Sequence, residues 1–173
     1  MRAALPHKRI DILLAKQEIA EQIYRYCRAM DRLDADLGYS VWHEDAEAIY
    51  EASPFIGTGR GFIDWVIPKH RTFVNHSHQV TNILIAVDGD EADSESCFIV
   101  MPRTREEGGQ EMDHIILGRY LDRWSRFDGR WAIRKRQCII DMANSVPVSE
   151  GWIVAAGRRD RHDPSYGLRI ARV

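Results

Sequence analysis

The chain has 173 residues, a formal net charge of −2, 45% apolar and 29% charged residues, the make-up of a folded chain with room for a core rather than a disordered one. No global basic field recruits nucleic acid, and the basic clusters at 134–136 and 157–163 are interspersed with acidic or apolar residues. Nothing approaches the ~18 consecutive apolar residues of a membrane span.

The N-terminus, "MRAALPHKRIDILLAKQ", has no long apolar run followed by a small-residue cleavage site, so the chain is expected in the cytoplasm. Residues 9–32 then read as one helix, preceded by Pro6, with apolar positions at Leu13, Ala20, Ile23, Tyr24, Cys27 and Met30. Steps of four, three and four run from Ala20 through Tyr24 and Cys27 to Asp31. They place Asp31 on the inward stripe, an unusual address for a carboxylate. A helical turn follows, then a first strand around 47–52. "GTGRG" at 57–61 is a glycine-rich turn, and "FIDWVIPKHRTF" has helical periodicity interrupted by Pro68.

From residue 76 the period changes to two. Four segments alternate: "HSHQVTNILIAVDGD", "EADSESCFIVMPR", "MDHIILGRYLDRWSRF" and "RWAIRKRQCIIDM". Asp128-Gly129 is a tight-hairpin signal between the last two, and 88–90 and 106–109 supply the other turns. Cys27, Cys97 and Cys138 are dispersed and form no C-x-x-C pair, which argues against a disulfide framework or a cysteine zinc site.

This order predicts an α+β fold: a long N-terminal helix plus shorter helices packed on a strongly bent, mainly antiparallel sheet. Such a cone-shaped barrel leaves an apolar hollow lined by strand residues, a common form of small-molecule site. We expect a single domain over 1–173, with its core in 9–142. The extension 143–173 is too apolar at "GWIVAAG" to be a solvated tail, so it should cover the pocket or contact another subunit.

Within "VNHSHQVTN", strand phase projects His76 and His78 to the same side. Three readings stand open. The pair could ligate a metal with His70, Asp113 or His114 as third ligand, but no His-Glu-x-x-His spacing backs this. Both could be structural histidines. Or His78 could move a proton, with His76 near the exposed rim. An inward Asp31 needs a cationic or hydrogen-donating partner, and an imidazole facing the same cavity would serve. Tyr24 lies one step up the stripe from Asp31, Asn82 is in phase with His78, and Arg136 alternates with Arg134 and Cys138. These three are candidate substrate contacts. Tyr26, Tyr50, Trp42 and Trp65 read as core.

The helix ending "YRYCRAMDRLD", the strand "HQVTN" and the pair "GRYLDRWSRFDGRWAIRKR" resemble the SnoaL-like branch of the nuclear-transport-factor-2-like superfamily. The resemblance spans roughly residues 9–142 and is strongest to scytalone dehydratase and hexachlorocyclohexane dehydrochlorinase. It implies an aspartate–histidine pair at Asp31 and His78 acting without metal or organic cofactor, and it matches Thr81, Asn82 and Arg136 to the family pattern. The implied activity is that of a dehydratase-type lyase or related isomerase on an apolar cyclic or aromatic small molecule. The same fold also forms non-catalytic small subunits of aromatic-ring-hydroxylating dioxygenases, and a ligand-binding module without turnover is a further alternative. A homo-oligomer is expected, a trimer by resemblance with a dimer as alternative, from apolar residues such as Ile116 and Trp124 on the convex face.

Overall fold

The computed structural model describes residues 4–52, 54–149 and 156–172. Helix α1 (Ala4–Arg32) takes Pro6 into its first turn, where a missing N–H costs nothing. Its buried face runs Ala15, Ile19, Ile23, Tyr26, Cys27 and Met30, in the steps of three and four that a helix lying on a sheet requires. Leu33, at φ 52°, ends it: its N–H and that of Asp34 turn back to the carbonyls of Met30 and Ala29. A one-and-a-half-turn helix α2 (Ala35–Ser40) is capped by the Asp34 carboxylate, which accepts from the Leu37 N–H.

Strands β1 (Trp42–Tyr50) and β2 (Phe55–Thr58) form a hairpin, and Thr58 caps helix α3 (Gly59–Arg71). Pro68 lies inside α3 without ending it. Strands β3 (His78–Asp88), β4 (Glu91–Val100), the short β5 (Arg103–Arg105), β6 (Glu111–Phe127) and β7 (Arg130–Pro147) follow. The expected turns join them: Gly89, the pair Gly108 and Gly109, and Asp128-Gly129 all have positive φ, the conformation that glycine and aspartate tolerate. Strand order is β2-β1-β7-β6-β4-β3, with β5 beside β6. All pairings are antiparallel except that of β1 with β7, so the sheet is mixed but mainly antiparallel, as expected.

The helices pack on one face of this open seven-stranded sheet. Gly118 makes the bend possible. A Cβ there would lie 2.2 Å from the Ile139 carbonyl oxygen and 2.6 Å from the Phe98 ring, and the β6–β7 register shifts at the same residue. The extra residue is Asp141 in β7, so β6 keeps one phase, with Ile116, Gly118, Tyr120, Asp122 and Trp124 on the covered side. Trp124, expected on the outer face, is instead 2% exposed, its indole N–H donating to Ser94 Oγ at 2.8 Å. Ile116, expected there too, lines the hollow between helices and sheet. Among the described residues, no helix is long and apolar enough to cross a membrane.

Candidate functional site

The hollow has a volume of about 200 Å³. Its wall is largely aromatic, with Phe62, Trp65, Phe98 and Tyr120 among the lining residues, and His70, His76 and His78 stand on one side.

Asp31 and His78 meet there. Asp31 sits one helical step beyond Cys27, on the line Ile19–Ile23–Cys27 that faces the sheet, and its side chain is 14% exposed. His78 opens β3. Its backbone N–H lies 3.0 and 3.1 Å from the two Asp31 carboxylate oxygens, and its Nδ1 is 2.7 Å from Oδ1. A carboxylate only accepts, so Nδ1 carries the proton and Nε2 is left as an acceptor. Nε2 has no hydrogen-bond partner among the described residues, and the ring lines the hollow.

His76 departs from expectation. Placed by sequence at an exposed rim, it is 4% exposed, because residues 76 and 77 precede the strand and do not follow its alternation. Its Nε2 is 2.9 Å from the Met30 carbonyl oxygen, which also accepts the Leu33 N–H where α1 ends. Its Nδ1 is 2.9 Å from Nη1 of Arg159, in the C-terminal segment. Burial, then the neighbouring His78, push the His76 pKa down to about 4. His70, from α3, packs against it with ring centroids 4.6 Å apart, and burial pushes the His70 pKa down to about 2. His70 Nδ1 is buried without a hydrogen-bond partner among the described residues.

Tyr26 and Tyr50 were read as core, and both are buried, but they also line the hollow. Their hydroxyls are 2.9 Å apart. Burial raises both pKa values above the ordinary phenol range, so the pair stays protonated and able to donate. Neither position carried a signal beyond a buried aromatic in the sequence.

The three candidate substrate contacts do not line the hollow. Tyr24 is 51% exposed and borders a shallow groove with Leu13 and Leu84, because the inward stripe runs through Ile23 and Tyr26 on either side of it. Asn82 is exposed at φ 50°, where a bulge between Thr81 and Leu84 inserts a residue into β3. The bulge resets the phase, so Ile83 and Ile85 take the covered side. Arg136 does turn inward and is fully buried, but Asp122 takes its Nε and Nη2 at 2.6 and 2.7 Å. The Tyr26 and Tyr120 rings lie 4.3 and 4.1 Å from Cζ and screen it from the hollow. Burial alone would lower the Arg136 pKa; the Asp122 carboxylate outweighs it and holds the guanidinium charged. The ring of Tyr26 is thus stacked on a buried cation while its hydroxyl meets Tyr50.

Of the third ligands considered for a metal, His70 is in this cluster, whereas Asp113 pairs with Arg103 and His114 hydrogen-bonds Thr104 and Ser145. Asp31, His76 and His78 do offer ligand atoms within 4.8 Å of one another. In His76, however, one nitrogen faces a carbonyl and the other a guanidinium.

Of the extension 143–173, residues 143–147 complete β7, and "GWIVAAG" lies outside the described residues up to position 155. The part beyond packs on the end of α1 and on α2. Arg161 reaches Asp34 and Asp36, Tyr166 donates to Asp34 at 2.8 Å, Arg28 donates to Ser165 at 3.1 Å, and Arg32 lies 3.5 Å from Asp163.

Residues 11–137 match the SnoaL-like domain. No curated protein matches the chain. Among solved structures, it is similar to a protein provisionally named scytalone dehydratase from Novosphingobium aromaticivorans, with 26% identity, TM-score 0.68, and 79% of this chain and 91% of that one covered. It is similar to hexachlorocyclohexane dehydrochlorinase LinA-type3 from Novosphingobium barchaimii, with 19% identity, TM-score 0.70 and coverage of 84% and 98%. A third is the provisionally named beta subunit of an aromatic-ring-hydroxylating dioxygenase from Novosphingobium aromaticivorans, with 17% identity, TM-score 0.59 and coverage of 76% and 92%. With well over half of its length matched, the chain belongs to the SnoaL-like domain family of the nuclear-transport-factor-2-like superfamily.

Proposed function

We propose that this protein is a cofactor-free lyase of the dehydratase type, or a related isomerase, in which His78 removes a proton from carbon. The observation that carries the reading is the 2.7 Å contact from His78 Nδ1 to Asp31, in a ring that lines an aromatic-walled hollow and whose Nε2 has no hydrogen-bond partner among the described residues. Asp31 fixes the tautomer that leaves Nε2 basic, and its charge stabilises the imidazolium formed on proton capture. Loss of a leaving group from the adjacent carbon, or migration of the double bond, completes the reaction. A general base contributes about 10²–10⁴-fold, so water exclusion and donors to the departing or charged oxygen supply the rest. The Tyr26–Tyr50 hydroxyl pair supports the second role, since burial keeps it protonated.

The size and wall of the hollow favour an apolar molecule of one or two rings. Three free cysteines, two of them buried, support action in the reducing cytoplasm. The solvent-facing row Leu13, Leu14, Tyr24 and Leu84 supports a homo-oligomer, with a trimer as first choice.

The test is elimination of water or halide from a panel of cyclic β-hydroxy ketones and cyclic halides. The reading expects turnover of at least one compound, lost by about 10²-fold or more in His78→Ala with the fold retained. Full activity of His78→Ala on a compound the protein turns over would refute it. A chain that turns over no member of the panel and co-purifies with a larger iron–sulfur chain would be a non-catalytic oxygenase subunit instead.

A further inference from the structure

Arg159 lies outside the matched domain, yet it reaches the site. Its Nη1 is 2.9 Å from both His76 Nδ1 and the His70 carbonyl oxygen, and its Nη2 is 2.6 Å from the Phe73 carbonyl oxygen. The guanidinium therefore ties off the C-terminal end of α3, where a cation is favoured, while facing one edge of the His76 ring. Across that ring, Nε2 is 2.9 Å from the Met30 carbonyl oxygen and 3.9 Å from Asp31 Oδ1.

A guanidinium only donates and a carbonyl only accepts. Between those two neighbours the ring has one satisfactory form, bare at Nδ1 and protonated at Nε2. The opposite tautomer would set a ring N–H against the Arg159 donors and turn a lone pair toward both the Met30 carbonyl and the Asp31 carboxylate. An imidazolium would also place its Nδ1–H against Arg159, which agrees with the depressed His76 pKa, though burial is the largest cause of that depression. The segment bearing Arg159 is held at the end of α1 by Arg161, Asp163, Ser165 and Tyr166.

We propose that Arg159 is a positioning residue that locks His76 in its Nε2–H tautomer, thereby holding the end of α1 so that Asp31 serves His78, and keeping metal out of the Asp31–His76–His78 cluster. Two histidines and one carboxylate with ligand atoms within 4.8 Å have the composition of a divalent transition-metal site. The nitrogen that His76 turns toward Asp31 is Nε2, and to ligate a metal it must give up its proton. That proton would have to move to Nδ1, the position Arg159 denies it. The same contact therefore orders the proposed proton-transfer pair and protects it from zinc.

This inference rests on the Asp31–His78 reading, but its test needs no substrate. Long-range proton–nitrogen NMR of the full chain with labelled histidine, at neutral pH, reports the tautomer of each ring. The wild type should show His76 protonated at Nε2 alone. Arg159→Met should give a mixture of tautomers, and calorimetric titration with zinc should show binding tighter by about 10–100-fold than in the wild type. Arg159→Lys, which keeps a donor, should restore the wild-type tautomer and the weak zinc binding. A wild-type His76 protonated at Nδ1 overturns the proposal, as does an Arg159→Met protein with unchanged tautomer and zinc affinity. If Arg159→Met fails to fold, the wild-type spectrum and Arg159→Lys decide alone. A locked His76 in a protein without elimination activity would retain the tautomer and metal-exclusion claims while removing the lyase reading.

Discussion

His70 and His76 give the fold a definite response to acid. Their ordinary pKa of 6.5 is pushed to about 2 and about 4 in the folded chain, with burial the largest cause for both. As pH falls through 6.5 the unfolded chain binds these protons first, so acid favours unfolding. Their contribution is fully present above about pH 6.5 and is lost progressively toward pH 4 and below. Urea midpoints should fall over that window, and His76→Gln should flatten the fall; a wild-type midpoint constant from pH 7 to 4 would contradict this. The Arg136–Asp122 pair makes a second prediction. Arg136→Met strands a buried carboxylate and should cost about 3–5 kcal/mol in urea unfolding, whereas replacing both residues with apolar ones should cost much less. At this scale the sequence was legible where local period governed the side chain. The four-residue step from Cys27 turns Asp31 inward, while the step through Tyr24, one position off the true stripe, does not turn Tyr24 inward. His76 was not legible, since its partners Met30 and Arg159 lie 46 and 83 positions away.

The elements were legible in their order, because a change from helical to two-residue period marks where the run of strands from β3 to β7 begins, and the turn residues punctuate it. Short pieces were missed. β5 is three residues long and β2 four, too short to show alternation. The bulges escaped notice for a related reason: the phase slip in β3 depends on Asn82 adopting φ 50°, a conformation open to asparagine but not announced by it. That one residue decides which half of β3 faces the helices, and it removes Asn82 from the hollow. Gly118 of β6 lies opposite the bulge in β7, and its lack of a Cβ is what lets Phe98 and the Ile139 carbonyl close on it. Gly118→Ala should therefore cost about 1–3 kcal/mol by overpacking, seen as a lower thermal midpoint. An unchanged midpoint would mean that the bend does not depend on the close approach.

Over the whole molecule, helices and sheet line the hollow and the C-terminal segment reaches its edge through Arg159 against His76, while the apolar row of Leu13, Tyr24 and Leu84 faces solvent at 66%, 51% and 69% exposure. Sedimentation velocity at micromolar concentration should show a trimer, dispersed to smaller species by Leu84→Glu; a monomer throughout would contradict the proposed assembly. The sequence pointed to an oligomer through Ile116 and Trp124, which β6 instead places on its covered face. In the proposed mechanism Asp31 holds His78 as the base, and turnover of Asp31→Asn is the decisive measurement. An asparagine can accept the His78 backbone N–H through its oxygen, but its amide N–H₂ then faces Nδ1 and drives the proton to Nε2. The base is lost while the pocket keeps its shape. On a compound that the wild type eliminates, the account predicts a fall in kcat of about 10⁴-fold with KM little changed. Wild-type kcat in a correctly folded Asp31→Asn protein would contradict it.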